Sequence, residues 1–183
     1  MLQVAKPQGA DWRQRAVFSG DKWIHCHGTQ GIFGPDGLFY DWFDVPVGRH
    51  SDKYFMRESN VNETLRVAQL DFIRQYWVYL DKGYTNDTHC KCAHHGPAVL
   101  TALQVHFNWV MSRARIGVEW GFGKVKARNP LILKPYMLKL QLMDVSKLVR
   151  VAVLLTNAHT CLNQSQTGLY FNCCAPTLGE YFN

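Results

Sequence analysis

Apolar and aromatic residues fall along this chain in two periods, and each change of period marks a change of element. Residues 22–33 and 38–47 run extended, with Phe39, Tyr40, Trp42, Phe43 and Val45 as strand-forming side chains. Gly34-Pro35-Asp36-Gly37 lies between them, and a fixed φ at Pro beside a permissive one at Gly predicts a tight hairpin turn. Past Ser51 and Asp52 the pattern becomes helical. Phe55 and Met56, then Leu65, Ala68, Phe72 and Ile73 after Asn62-Glu63, place helix over 52–75. Tyr76-Trp77-Val78-Tyr79-Leu80 is apolar on both sides, which predicts a buried central strand.

The stretch 82–97 is polar and rich in His and Cys, so it reads as a loop, with a short strand following over 98–103. Leu103, Phe107, Val110, Met111, Ala114, Val118 and Phe122 then recur at helical spacing and trace one face of a long helix, ended by Asn129-Pro130. Gly117, Gly121 and Gly123 weaken its second half by up to about 1 kcal/mol each relative to alanine, so the backbone is expected to pack unusually closely there or to fray. Asp144 caps a last helix over 145–162, with Leu148, Val151, Leu155 and Leu162 as its apolar positions. Residues 1–20 and 163–183 read as irregular. Strands interleaved with helices predict an α/β fold, a mixed sheet flanked by helices, in a single domain over 1–183.

Composition narrows the class. At 183 residues, 47% hydrophobic and 19% charged, the chain has material for a real core and is unlike a disordered tail. Its apolar runs are too short to cross a bilayer and its start lacks a signal peptide's apolar stretch, so the expectation is a soluble, intracellular protein with no membrane partner. Six cysteines without a regular framework read as reduced thiols. The net charge of +6 is unevenly placed: 113–150 carries nine basic residues against two acidic ones. Such a segment is the footprint of a polyanion site, or else a solvated basic face.

Two carboxylates stand out. Asp81 follows the predicted strand at its carboxyl end, where α/β folds gather ligands, and Gly83 lets the backbone approach something closely. Glu119 lies on the long helix and is the only acidic residue between Asp87 and Asp144. Carboxylates from a strand end and a helix can hold divalent cations, which take oxygen ligands. Alternatively, Asp81 caps a loop and Glu119 pairs with Arg115 one turn earlier. His89-Cys90-x-Cys92-x-His94-His95, with His25-Cys26-His27, offers soft ligands for zinc, but Cys-x-Cys lacks the usual two-residue gap.

Several ordered motifs carry a resemblance. Gln14-Arg15-Ala16-Val17-Phe18-Ser19-Gly20, Gly34-Pro35-Asp36-Gly37-Leu38, Gly48-Arg49-His50-Ser51-Asp52 and Met56-Arg57-Glu58-Ser59 resemble the DDE endonuclease domain of Harbinger-type transposases. So do Leu80-Asp81-Lys82-Gly83-Tyr84, the run from Ser112-Arg113-Ala114-Arg115 to Lys124-Val125-Lys126, and Leu154-Leu155-Thr156-Asn157-Ala158-His159. The resemblance implies a ribonuclease H-like fold that cuts DNA strands with Mg2+ or Mn2+ held by two aspartates and a glutamate, in the nucleus. Asp81 matches the second aspartate and Glu119 the glutamate; Asp52 matches a further acidic position, an auxiliary metal or structural candidate. Arg113, Arg115, Lys124, Lys126 and Arg128 are then the DNA contacts. The family's first aspartate stands in an Asp-Gly-Thr-like strand motif that is absent from this sequence, so the first strand is expected to be missing or incomplete and activity impaired. A non-catalytic DNA- or protein-binding module is the alternative. A homo-oligomer or a separate DNA-binding partner protein stays open.

Overall fold

A computed structural model of the chain describes residues 1–9, 11–45, 48, 50–69, 77–96 and 99–183. Along the chain the elements are β1 (Leu2–Gln3), α1 (Asp11–Val17), β2 (Phe18–Ser19), β3 (Ile24–Phe33), β4 (Phe39–Val45), α2 (Asp52–Glu58) and α3 (Val61–Gln69). Then follow β5 (Val78–Leu80), β6 (Cys90–Cys92), α4 (Ala102–Arg128), α5 (Val145–Asn163), α6 (Gln166–Phe171) and α7 (Leu178–Phe182). The fold is mixed α/β, with antiparallel and parallel strand pairs. Two compact units divide the chain, Met1–His50 with Gly117–Asn183, and Ser51–Ile116.

In the first unit, β3 is the spine of an antiparallel sheet: β1, β2 and β4 all pair with it. The expected hairpin forms between β3 and β4. Gly34 N donates to Leu38 O, Gly37 N to Gly34 O, and Asp36 Oδ1 accepts from Leu38 N at 3.2 Å. Gly37 sits at φ +87°, a conformation a side chain resists, and a Cβ there would collide with Ser165. Predicted strand positions 46 and 47 lie outside the described residues.

The core of this unit joins Phe39 of β4 to Val125 of α4 and to Val145, Val149, Ala152 and Val153 of α5, with Leu2, Val4, Ile132 and Leu138. Phe33, Phe39, Trp42 and Phe122 meet edge to face or tilted, with ring centroids about 5 Å apart. Gly121 of α4 is what lets Phe33 in: a Cβ there would stand 2.5 Å from its ring. Close packing is thus the outcome at Gly117 and Gly121, whereas Gly123 faces open space.

Asp144 caps α5 as expected, accepting from Lys147 N at 3.0 Å. Its buried face is different from the expected one. Of the expected positions Leu148 packs against the core, but Val151, Leu155 and Leu162 are exposed, and Val149, Ala152, Thr156, Asn157 and Thr160 are buried. The reason is polar. Asn157 accepts from Phe39 N at 3.0 Å and donates to Phe39 O at 2.8 Å, satisfying backbone groups of β4 that a leucine would strand. Thr156 and Thr160 donate back to Ala152 O and Thr156 O, so neither hydroxyl is buried without a partner.

Asp44 of β4 ties the sheet to α5. Its side chain has no exposure; it lies 3.3 Å from His27 Nε2 and accepts on one oxygen from Arg150 Nε at 3.1 Å and from its NH2 at 2.8 Å. Burial alone would push this carboxyl up; the hydrogen bonds from His27 and Arg150, and the charge of Arg150, more than offset it and hold the group below the ordinary aspartate range.

Neither terminus is irregular. Short elements β1, α1 and β2 occupy the start, and α6 and α7 the end. Ser165 accepts from Gly168 N at 2.9 Å to cap α6, and Thr177 with Glu180 forms a reciprocal capping box on α7. These elements are too short for hydrophobic periodicity to reveal them.

In the second unit, α2 buries Phe55 and Met56, and α3 follows Asn60, which turns at φ +52°. The remainder of the predicted helix, 70–75, lies outside the described residues, as does Tyr76. Strand β5 is less buried than its composition implies: Trp77 and Tyr79 are exposed, and Val78 and Leu80 half-buried. Within the predicted loop, Cys90–Cys92 forms β6, parallel to β5 in register Val78↔Cys90 and Leu80↔Cys92. Cys90 and Cys92 point inward and Lys91 outward, an alternation too brief to stand out in sequence. Among the described residues of 98–103 no strand forms; α4 begins at Ala102, and Ala98 lies outside them. On α4, Met111 and Val125 are buried while Leu103 is 82% exposed.

Candidate active site

Strand β5 delivers Asp81 at its carboxyl end. Asp81 Oδ1 accepts from Lys82 N at 2.6 Å, and Tyr84 N donates to Asp81 O, so the Asp81-Lys82-Gly83-Tyr84 turn holds the carboxylate at a set angle. Its other oxygen lies 3.2 Å from the guanidinium of Arg115 on α4, which is itself half-buried. Arg115 therefore answers Asp81, a partnership the one-turn spacing to Glu119 did not suggest.

Asp52 comes to the same place from the first turn of α2. Its carboxylate occupies the space where a Cβ on Gly83 would stand. The close approach expected at Gly83 is thus made by a carboxylate. Burial pushes the Asp52 carboxyl up, and the neighbouring charge of Asp81 pushes it further. Burial likewise raises the Tyr84 phenol, with Asp52 and Asp81 adding to it. Tyr84 is a member of this cluster that sequence reasoning missed; its position three residues after Asp81 was the available signal.

Glu119 is exposed and belongs to the other unit, on the continuation of α4. Among the basic residues, Arg113 lays its guanidinium 4.8 Å from the Trp109 ring centroid. Lys124 is half-buried and donates to Thr160 Oγ1 at 2.6 Å, while Lys126 and Arg128 are exposed in the last turn of α4. Trp120 packs edge-on against Tyr170 at 5.4 Å, which accounts for it as a packing residue.

The His and Cys cluster is also accounted for by packing. Burial pushes the Cys90 thiol up to about 11 and raises Cys92 as well, so neither is poised as a free thiolate. Cys90 Sγ donates to Asn62 Oδ1 at 3.2 Å, and the His94 ring meets Phe107 edge to face. Among the described residues no three His, Cys, Asp or Glu side chains gather as a ready-made metal site.

A family model for the DDE superfamily endonucleases matches residues 2–157. The chain belongs to that family. No curated protein and no solved structure matches it. Membership makes this a nuclease or transposase-derived domain, and endonucleases of this superfamily act on DNA and typically use divalent metal ions. Among the described residues no helix is long and apolar enough to cross a membrane.

The Asp52 and Asp81 pair fits such an ion as part of a donor set. Both offer hard oxygen ligands, and the repulsion between two neighbouring carboxylates is the kind a divalent cation relieves.

Proposed function

We propose that this DDE endonuclease domain is a Harbinger-type, metal-dependent DNA nuclease acting in the nucleus. The observation that carries the reading is the pair Asp52 and Asp81, two carboxylates drawn together in one unit at the end of a strand. Asp81 and Glu119 are the metal ligands, in the roles of the family's second aspartate and its glutamate, and Asp52 is an auxiliary ligand. Mg2+ or Mn2+ bound there would supply an activated attacking oxygen and neutralise charge on the departing one. Asp81 and its turn hold one ligand oxygen in place; Arg115 sets the charge balance beside it. Arg113, Arg115, Lys124, Lys126 and Arg128 contact DNA phosphates.

The sequence holds no Asp-Gly-Thr-like motif, so with this chain's residues alone cleavage is expected to be weak. That absence favours the second reading, a non-catalytic DNA- or protein-binding module that keeps the fold. The test is Mg2+- or Mn2+-dependent nicking of a DNA duplex by the full chain beside Asp81→Asn and Glu119→Gln. Cleavage lost in both folded variants supports the nuclease. DNA bound without cleavage by the unaltered chain sinks it and leaves the module.

A further inference from the structure

We propose that Trp77 and Tyr79, on the outward face of β5, and Lys91, on that of β6, form a platform on which unpaired bases of a single DNA strand stack on their way to Asp81. The platform deepens the DNA reading and rests on it for the kind of polymer bound, while using none of the basic residues assigned to phosphates.

A two-residue period puts Trp77 and Tyr79 on one face, with Val78 and Leu80 turned the other way. Their backbone positions stand one pleat repeat apart, about 6.6 Å along the strand. Parallel pairing sets Lys91 opposite Tyr79, and its ammonium lies 4.7 Å from the centroid of the Trp77 ring. Phe107 of α4 meets Tyr79 edge to face at 6.2 Å, and the exposed His94 meets Phe107 in the same way at 5.1 Å. His89 is tilted against Trp77 at 6.3 Å, so none of these contacts stacks one ring on another. All of these residues belong to the unit Ser51–Ile116.

Trp77 is 44% exposed and Tyr79 43%. A patch of exposed rings is costly in water and marks an interaction surface. Its charge favours a nucleic-acid strand as the occupant. Lys91 sits among the rings and, among the described residues, forms no ion pair, so its ammonium has donors to spare. Rings interleaved with a cation suit a single strand, because each ring takes a base face and the ammonium takes a phosphate. In a duplex the base faces are already stacked on one another. Position supports the same occupant. Tyr79 precedes Asp81 by two residues along one strand, and Phe107 lies about two turns before Arg115, the partner of Asp81, on α4. A strand laid over the two rings therefore runs toward the candidate carboxylate.

The test is the affinity of the full chain for three labelled probes: a single-stranded oligonucleotide, the duplex of the same sequence, and the single strand with abasic sites, which keeps the phosphates and removes the bases. Trp77→Ala and Tyr79→Ala should each weaken single-strand binding about tenfold, with duplex affinity and the slope of log K against log salt unchanged. The exposed Tyr136→Ala, in the other unit, should change nothing. Trp77→Phe keeps a stacking face and should retain most of the affinity, which guards against a folding defect. Lys91→Gln should lower the single-strand slope by about 0.7. The abasic strand should bind the unaltered chain weakly and be indifferent to Trp77→Ala. Single-strand affinity unchanged in both alanine variants, or equal losses on duplex and single strand, overturns the platform and leaves the DNA reading intact. Duplex bound with no single-strand binding does the same and gives the exposed rings to a protein partner. An unaltered chain that binds neither form of DNA overturns both.

Discussion

The carboxylate of Asp52 rests in the space above Gly83 that any side chain at that position would claim. One residue in the first turn of a helix and one in the turn after a strand, far apart in sequence, thereby set how near Asp52 comes to Asp81.

Replacing Gly83 with alanine should therefore act as a remote displacement of Asp52. If the pair serves the reaction, Gly83→Ala should lower Mn2+-dependent nicking about tenfold, as Asp52→Asn should, with the thermal midpoint little moved. Nicking at the unaltered rate by a folded Gly83→Ala would remove Asp52 from the metal-binding assignment.

Two glycines two residues apart on α4 should respond with opposite signs. Gly123 faces open space, so Gly123→Ala should stabilise by about 0.5–1 kcal/mol through helix propensity. At Gly121 the new methyl would meet the Phe33 ring at 2.5 Å, inside a core where that ring already packs on Phe39. Overpacking there should outweigh the propensity gain and destabilise by about 1–3 kcal/mol. Urea unfolding of the two variants reads the contrast directly.

Arg150→Ala should cost about 1–3 kcal/mol near neutral pH, more than Asp44→Asn, because it leaves a fully buried carboxylate with His27 but without its arginine hydrogen bonds. The pH dependence has a definite sign. The folded-state pKa of Asp44 is depressed, so its contribution is present above an ordinary aspartate's value of about 3.9 and is lost as pH falls through the depressed value. Stability of the unaltered chain should therefore drop more steeply below pH 4 than that of Asp44→Asn. Parallel acid-unfolding curves would count against the ion pair's role.

Removing the cap of α5 offers a smaller, local test. Asp144→Ala should lower stability, with Asp144→Ser recovering most of the loss, since a hydroxyl can also accept from Lys147 N. Equal losses in both variants in chemical denaturation would assign the effect to charge rather than capping.

Much of the candidate site was legible locally. Asp81 after a strand and Gly83 as a point of close approach were readable because turn chemistry and strand termination are short-range. The Arg115 partner of Asp81 was not, since helical spacing offers Arg115 a neighbour at Glu119 and only folding brings Asp81 within 3.2 Å. Tyr84 escaped for a similar reason: burial beside Asp52 and Asp81 distinguishes it, and burial is not a property of a residue's own segment.

The same division runs through the fold. The Gly34-Pro35-Asp36-Gly37 turn, the Asp144 cap and the end of α4 at Asn129-Pro130 follow from backbone preferences of a few adjacent residues, so sequence alone determines them. Which face of α5 turns inward was decided by tertiary structure. Periodicity favours Leu155 and Leu162, yet Asn157 and Thr160 go inside, because Phe39 presents backbone donors and acceptors that only a polar side chain can satisfy. Hydrophobicity is summed along one helix, whereas an unpaired buried amide is a demand made by another part of the chain, and the cost of leaving it unmet exceeds that of exposing a leucine.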